Sequence, residues 1–310
     1  MKNLFRYFLL LSLGTFFLTS CQQRKELPPL SKPLVVGIAL GGGGFRGLAH
    51  IGVLQSLQEH HIPIKVITGT SAGAVVGALY AAGLSPNEIT QLAHKNLPGK
   101  LVDYDHPFSG SYLNSFPLQR IVNKAVFGKK IEDFPIQFAA IALNKKTGQA
   151  QIFNQGDVGQ AVRASASLPP LFPPTLIKGS LYLDGGLVSP VPVKAAKKLG
   201  ATLVIAVDVS SPPKVPKGAN VWQYMENNWG QVNQKALNNE LKGAHFIIRP
   251  QLGTIGVFSG FLQADQAIQA GKEATEAVIP QLKDALSHPQ RINKLPYGPV
   301  SYTHLRAHET

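Results

Sequence analysis

The sequence predicts an α/β fold: a mostly parallel central sheet flanked by helices. Two apolar, strand-like runs near the start of the domain each end in a glycine-bearing turn and pass directly into a segment of helical spacing. A third buried run, Leu203 to Val209, is preceded by a helical segment from about Val193 to Leu199. Strands alternating with helices imply parallel neighbours joined by right-handed crossovers. The composition supplies the core for this: 310 residues, 44% hydrophobic and 15% charged, with 30 glycines and 23 prolines spread along the chain.

Residues 1–21 stand apart from that pattern. Lys2 and Arg6 give a basic start and Phe8 to Leu18 is almost wholly apolar. The run falls short of the roughly 20 apolar residues a membrane span needs, so it reads as a signal peptide. It ends in Leu18-Thr19-Ser20-Cys21, which resembles the lipobox of bacterial lipoproteins and implies a mature chain beginning at lipidated Cys21. Cys21 is the sole cysteine, which excludes an internal disulfide. Gln22 stands where aspartate would favour retention at an inner membrane, so the resemblance implies a lipoprotein anchored to the cell envelope, at an outer membrane and facing the periplasm. Residues 22–32, with Pro28, Pro29 and mixed charges, read as a tether.

The domain is expected over residues 33–286. Leu34 to Leu40 is a buried strand ending in four glycines, and Leu48, Ile51, Leu54 and Leu57 set a helix closed by His60-His61-Ile62-Pro63. Val66 and Ile67 make a second short strand, and Gly69-Thr70-Ser71-Ala72-Gly73 turns into a helix of small residues reaching about Ala82. Gln137 to Leu143 and Gln149 to Phe153 form a hairpin around Asn144 to Gly148. Gln263 to Leu286 is helical, with Pro280 kinking or interrupting it. Residues 287–310 form a tail whose last stretch, from Val300, matches nothing before it and resembles translated sequencing adapter.

Three motifs carry chemistry. In Gly41-Gly42-Gly43-Gly44-Phe45-Arg46-Gly47 the missing side chains let backbone N–H groups converge ahead of a helix N-terminus, a site for a phosphate or an oxyanion. The endings that a P-loop or a dinucleotide fold requires are absent, so Gly42, Gly43 and Gly44 read as oxyanion-hole backbone, with Arg46 as an orienting or phosphate-facing cation. Gly69 to Gly73 is a G-x-S-x-G nucleophile elbow in its strand-to-helix context, presenting Ser71. A serine hydroxyl needs a base, and none of the nine histidines sits in a setting that marks it as one: His50 lies within the first helix, while His94, His106 and His245 stay open as alternatives. Asp184-Gly185-Gly186 follows the strand end Tyr182-Leu183, so Asp184 is either the carboxylate that faces Ser71 or a turn residue. Asp208 reads as a turn former. Phe45, Leu168, Leu171 and Phe172 are candidates for an acyl pocket or for core.

Taken in order, these motifs resemble the patatin-like phospholipase family over about Leu34 to Asp208. Arg163 to Pro174 and Pro190-Val191-Pro192 resemble the segments on either side of that family's aspartate. The resemblance implies a three-layer patatin-like fold and a Ser71/Asp184 dyad that hydrolyses lipid esters through an acyl-enzyme. It implies oxyanion stabilisation by Gly42, Gly43 and Gly44, with neither metal nor cofactor. The expected activity is lipid acyl hydrolysis of the phospholipase A or lysophospholipase type. The same dyad would serve an acyltransferase, and the fold without turnover would serve as a membrane-anchored scaffold.

The formal net charge is +13, or +11 once a leader holding Lys2 and Arg6 and no acid is removed. Such a balance favours anionic phospholipid or nucleic acid. Export and the lack of an interleaved aromatic and basic module argue against nucleic acid, so the charge marks either a grip on anionic phospholipid or a scattered, solvated surface with no partner. The family resemblance implies phospholipid or another acyl lipid as substrate, with the membrane reached through lipidated Cys21. Oligomeric state is open.

Overall fold

The computed structural model describes residues 33–96, 100, 103–104, 113–210 and 233–294. The leader, Cys21, the tether and the chain beyond Lys294 lie outside the described residues. From Pro33 onward the chain clusters as one compact unit. Its strands are β1 Val36–Leu40, β2 Ile64–Thr70, β3 Asp103–Tyr104, β4 Leu113–Asn114, β5 Gln137–Asn144, β6 Ala150–Phe153, β7 Thr175–Ile177, β8 Ser180–Asp184, β9 Leu203–Val207 and β10 Phe246–Ile248. Its helices are α1 Ala49–Glu59, α2 Ala72–Ala81, α3 Pro86–Asn96, α4 Phe116–Ala125, α5 Val158–Ser165, α6 Val193–Lys198, α7 Gln234–Leu241, α8 Ala264–Glu276 and α9 Ile279–Ser287.

One sheet runs β10-β9-β1-β2-β5-β8-β7, with β6 also paired to β5, while β3 and β4 pair separately. The five strands from β10 to β5 are parallel, and β6, β7 and β8 are antiparallel additions at one edge. The continuous apolar runs follow from burial on both faces. Along β1, Ile38 and Leu40 enter a core with Ile51 and Leu54 of α1, Ala74 of α2 and Ala267 of α8. Ala39 between them enters a second core with Ala196 of α6 and Leu241 of α7. The same alternation separates Leu203, Ile205 and Val207 from Val204 and Ala206 in β9. Helices therefore cover both faces, giving the three layers expected.

Pro280 does interrupt the late helical segment. It is the second residue of α9, in the first turn, where a missing N–H leaves no intrahelical hydrogen bond unmade. A 3-10 turn, Pro289–Lys294, follows, and Ile292 within it is 4% exposed, so the core extends past Leu286. The parallel order fixes what matters for chemistry: the C-terminal ends of β1, β2 and β9 meet at one end of the sheet, where ligands bind in open α/β folds.

Candidate active site

At that end β2 stops at Thr70 and α2 starts at Ala72, leaving Ser71 alone in the turn with φ 53° and ψ −119°. A non-glycine residue with positive φ is strained, and the surroundings must over-determine it. They do so by hydrogen bonds: the Ser71 N–H donates to Ser165 Oγ at 2.9 Å, and Ser165 Oγ donates to the Ile141 carbonyl at 2.5 Å. The preceding Thr70 hydroxyl donates to the Ser189 carbonyl at 2.8 Å. Close approach explains the elbow's last glycine, since a Cβ on Gly73 would lie 2.2 Å from the Leu40 carbonyl oxygen. The positive end of α2 lies at Ser71 and favours negative charge developing there.

Asp184 ends β8, opposite Ala142 of β5. Its own N–H donates to the Ser167 carbonyl at 2.9 Å, and its carboxylate accepts from the Gly186 N–H at 2.7 Å and faces the Ser71 hydroxyl, near enough for that hydroxyl to favour its charged form. The residue is 3% exposed. Burial pushes its pKa up to about 6 against the opposing pull of the Gly186 N–H and the nearby Ser71 hydroxyl. The structure thus brings together the serine and the carboxylate from segments more than a hundred residues apart. A carboxylate with that pKa is ionised at neutral pH yet close enough to it to accept and return a proton.

The glycine loop is fixed from beneath. Gly41 N–H donates to the Val207 carbonyl and Gly42 N–H to the Pro190 carbonyl, each at 3.0 Å. This amends the expectation for Gly42, whose amide is committed to holding the loop. Gly43 and Gly44 line the cavity beside Ser71, and their N–H groups have no acceptor among the described residues. Gly44 adopts φ 55° with its Cα pressed on Val257, where a Cβ would meet the carbonyl oxygen at 2.2 Å. For Arg46 the phosphate-facing part of the expectation does not hold. It is 1% exposed and is not among the residues lining the cavity, so it faces no phosphate there and is left to the orienting role beneath the loop.

Two supports were not legible as such in the sequence. His50 of α1 is fully buried, and its Nε2–H donates to the Gly41 carbonyl at 2.8 Å. Burial lowers its pKa to about 4, so the imidazole that pins the loop is neutral. Glu240 of α7, 5% exposed, accepts from Ser189 Oγ and from the Lys194 N–H, each at 2.8 Å. The segment it braces receives Gly42 on Pro190, Thr70 on Ser189, and the Thr68 hydroxyl on Pro192 at 2.9 Å. Asp208 accepts from the Ser210 N–H at 3.0 Å and from Arg249 Nε at 3.1 Å, so it is turn former and ion pair at once.

A cavity of about 710 Å³ opens from this site. Phe45, Leu168, Leu171 and Phe172 line it, as do Leu79 of α2, Ile89 of α3 and Leu118 of α4. Among the described residues, no histidine lines it and no group of His, Cys, Asp and Glu is placed to hold a metal. His94 pairs with Asp265 and is exposed, the ring of His245 accepts from the Val204 N–H, and His106 lies outside the described residues.

A strained serine elbow facing one buried carboxylate, on a doubly covered and mostly parallel sheet, defines a class of α/β proteins built around a serine–aspartate pair. The family model described as patatin-like phospholipase matches residues 38–197, and the chain belongs to that family. Lysophospholipase NTE1 of Pyricularia oryzae is 37% identical over 212 residues, which are 64% of this chain and 14% of that protein. Lysophospholipase NTE1 of Candida albicans is 38% identical over 182 residues, 57% of this chain and 13% of that one, so the chain spans only a small part of these relatives. Among solved structures, VipD from Legionella pneumophila superposes with a TM-score of 0.50 at 14% identity, covering 80% of this chain and 67% of that one, a likeness of fold.

Proposed function

We propose that this chain is a lipid acyl hydrolase of the lysophospholipase or phospholipase A type, with Ser71 as nucleophile and Asp184 as general base and acid. The observation that carries the reading is the strained Ser71 elbow set against the buried Asp184 carboxylate, both lining an apolar cavity of about 710 Å³. Ser71 Oγ attacks the acyl carbonyl as its proton passes to Asp184, and the oxyanion meets the Gly43 and Gly44 amides. Asp184 returns the proton to the departing lysolipid or glycerol oxygen, leaving an acyl-enzyme. Water then adds to the acyl carbon, its proton passing to Asp184 and on to Ser71 as the fatty acid leaves. Each well-placed oxyanion donor contributes about 3 to 4 kcal/mol to such a step. The relatives named lysophospholipase support the ester class.

Purified protein is expected to hydrolyse a chromogenic medium-chain ester and phosphatidylglycerol vesicles. Ser71→Ala and Asp184→Ala should each lose about 10³-fold or more while keeping the folded circular-dichroism spectrum. A serine variant as active as wild type would reject the dyad. Added alcohol acceptor that diverts most product to a new ester would make the chain an acyltransferase on the same dyad, and an inactive, folded wild type would leave a scaffold.

The membrane placement belongs to the same proposal: anchoring through lipidated Cys21, at an outer membrane and facing the periplasm, supported by the Leu18-Thr19-Ser20-Cys21 sequence. Labelled fatty acid should enter the full chain expressed in a Gram-negative host and be absent from Cys21→Ser. Label retained in that variant would place the acyl group elsewhere.

A further inference from the structure

The strand register sends two hairpins beyond the active-site end of the sheet. β5 matches β2 up to Ile141 opposite Thr70, then runs on through Asn144, where it pairs with Tyr182 of β8. β8 descends from Ser180 to Asp184, and at about 3.3 Å per residue Leu181 stands roughly 10 Å above the carboxylate. The Lys145 N–H donates to the Leu181 carbonyl at 2.9 Å, so the β5–β6 turn with Lys145 and Lys146 rises beside the β7–β8 turn with Lys178. All three lysines are exposed.

Between those turns lies an apolar pair. Leu176 and Leu181 are cross-strand partners, 60% and 39% exposed. Their neighbours Thr175 and Tyr182 point the other way and are buried, Tyr182 against Ala164 of α5. A leucine pair left to water on a short, projecting hairpin gains nothing for folding, and the lysines around it specify what would cover it.

We propose that this double hairpin is the surface by which the protein docks on an anionic phospholipid bilayer. Leu176 and Leu181 enter the interface while Lys145, Lys146 and Lys178 meet the headgroups. The combination of apolar insertion and cationic attraction is what holds a peripheral protein to such a surface. Docked in this way, the end of the sheet carrying Ser71 and Asp184 faces the lipid, and an acyl chain leaves the bilayer for the cavity. The inference rests on the lipid-hydrolase reading and extends it to a specific face.

The test uses the compact unit from Pro33 onward, which lacks any acyl anchor, in co-sedimentation with vesicles of phosphatidylcholine with and without phosphatidylglycerol. Turnover of a soluble chromogenic ester is measured in parallel. Leu176→Thr with Leu181→Thr keeps strand-forming residues and is expected to weaken binding at least tenfold. Lys145→Gln, Lys146→Gln and Lys178→Gln together should remove the preference for phosphatidylglycerol, each lysine contributing about fivefold. Ester turnover should stay within twofold of wild type in both variants. Phe127, 86% exposed in the turn that leads toward the start of β5 at the opposite end of the sheet, is the control, and Phe127→Ser should bind as wild type. Vesicle binding unchanged by both hairpin variants, or abolished by Phe127→Ser alone, overturns the proposal. So does a dimer in vesicle-free buffer that the leucine substitutions dissociate, since the pair would then serve a second copy of the chain. Vesicle binding through the hairpins by a protein inactive on every ester would refute the hydrolase reading and leave the docking face standing.

Discussion

Asp184 is held where its charged form is disfavoured, and the consequence for stability has a definite sign. Its folded pKa of about 6 exceeds the ordinary 3.8, so the folded state binds the proton more tightly. The stability this contributes is complete below pH 3.8 and is lost as pH rises through 6. At pH 7 the ionised carboxylate therefore opposes folding by an amount on the order of 1 to 3 kcal/mol. Asp184→Asn is expected to raise the melting temperature at pH 7 by several degrees while abolishing hydrolysis, and the gain should shrink at pH 4, where the wild-type carboxyl is already neutral. Equal melting temperatures at both pH values would contradict the burial. Wild-type hydrolysis should fall on the acid side of about pH 6 as the base is protonated, and a pH profile of kcat/KM on a soluble ester checks that. Ser71 and Asp184 were legible because each sits beside glycines at a strand end. Ser165, whose hydroxyl accepts the Ser71 N–H and so holds the elbow, lies in the Arg163 to Pro174 segment without any local sign of what it would touch.

The elements that set the site are partly those with strong periodicity and partly those without. β1, α1 and α2 follow the expected boundaries closely because their apolar spacing or continuity is unambiguous, whereas β2 runs well past Val66 and Ile67, from Ile64 to Thr70. The helices α3, α4 and α5 carry no comparable run, and α5 is only eight residues long, started by Asp157, whose side chain accepts from the Gln160 N–H. Such short helices are stabilised mainly by what they pack against. The glycine loop was misjudged at one amide because Gly42 is claimed by Pro190, nearly 150 positions later. That coupling makes α7 part of the active site's support. Glu240→Ala is expected to lower kcat on a soluble ester about tenfold with KM within about twofold, because Gly42, Thr70 and Thr68 all lean on the segment it braces. Glu240→Gln, keeping an acceptor for one of the two donors, should recover part of the loss. A change confined to melting temperature, with kcat intact, would reduce Glu240 to a structural brace.

For the protein as a whole, acid is the expected weakness. His50 and His245 are both held down to about 4, chiefly by burial. As pH falls below 6.5, the unfolded chain takes up protons that these folded imidazoles refuse, and stability is lost until pH reaches about 4. Asp184 acts in the opposite sense over part of that range, but it is one group against two. Protonating carboxylates also adds to the repulsion in a chain already at +13. The melting temperature should therefore drop between pH 7 and pH 4.5, and a flat profile would show that the imidazoles are not buried neutral.

The α/β class, the sheet's main strands, the family and the candidate pair of Ser71 and Asp184 were within reach of the residues alone. Each is written in local patterns: apolar continuity, glycines where backbones crowd, and an acid at a strand end. What only the folded chain decided depends on contacts between distant segments. His50 became a pin for the glycine loop, Glu240 a brace beneath it, and Arg46 a buried residue behind the loop instead of a ligand contact. Leu176 and Leu181 became an exposed pair because the register of β5 on β8 carries their hairpin beyond the end of the sheet. No local pattern encodes such roles, because the partner in each hydrogen bond and the direction of each side chain are set by packing across the whole core.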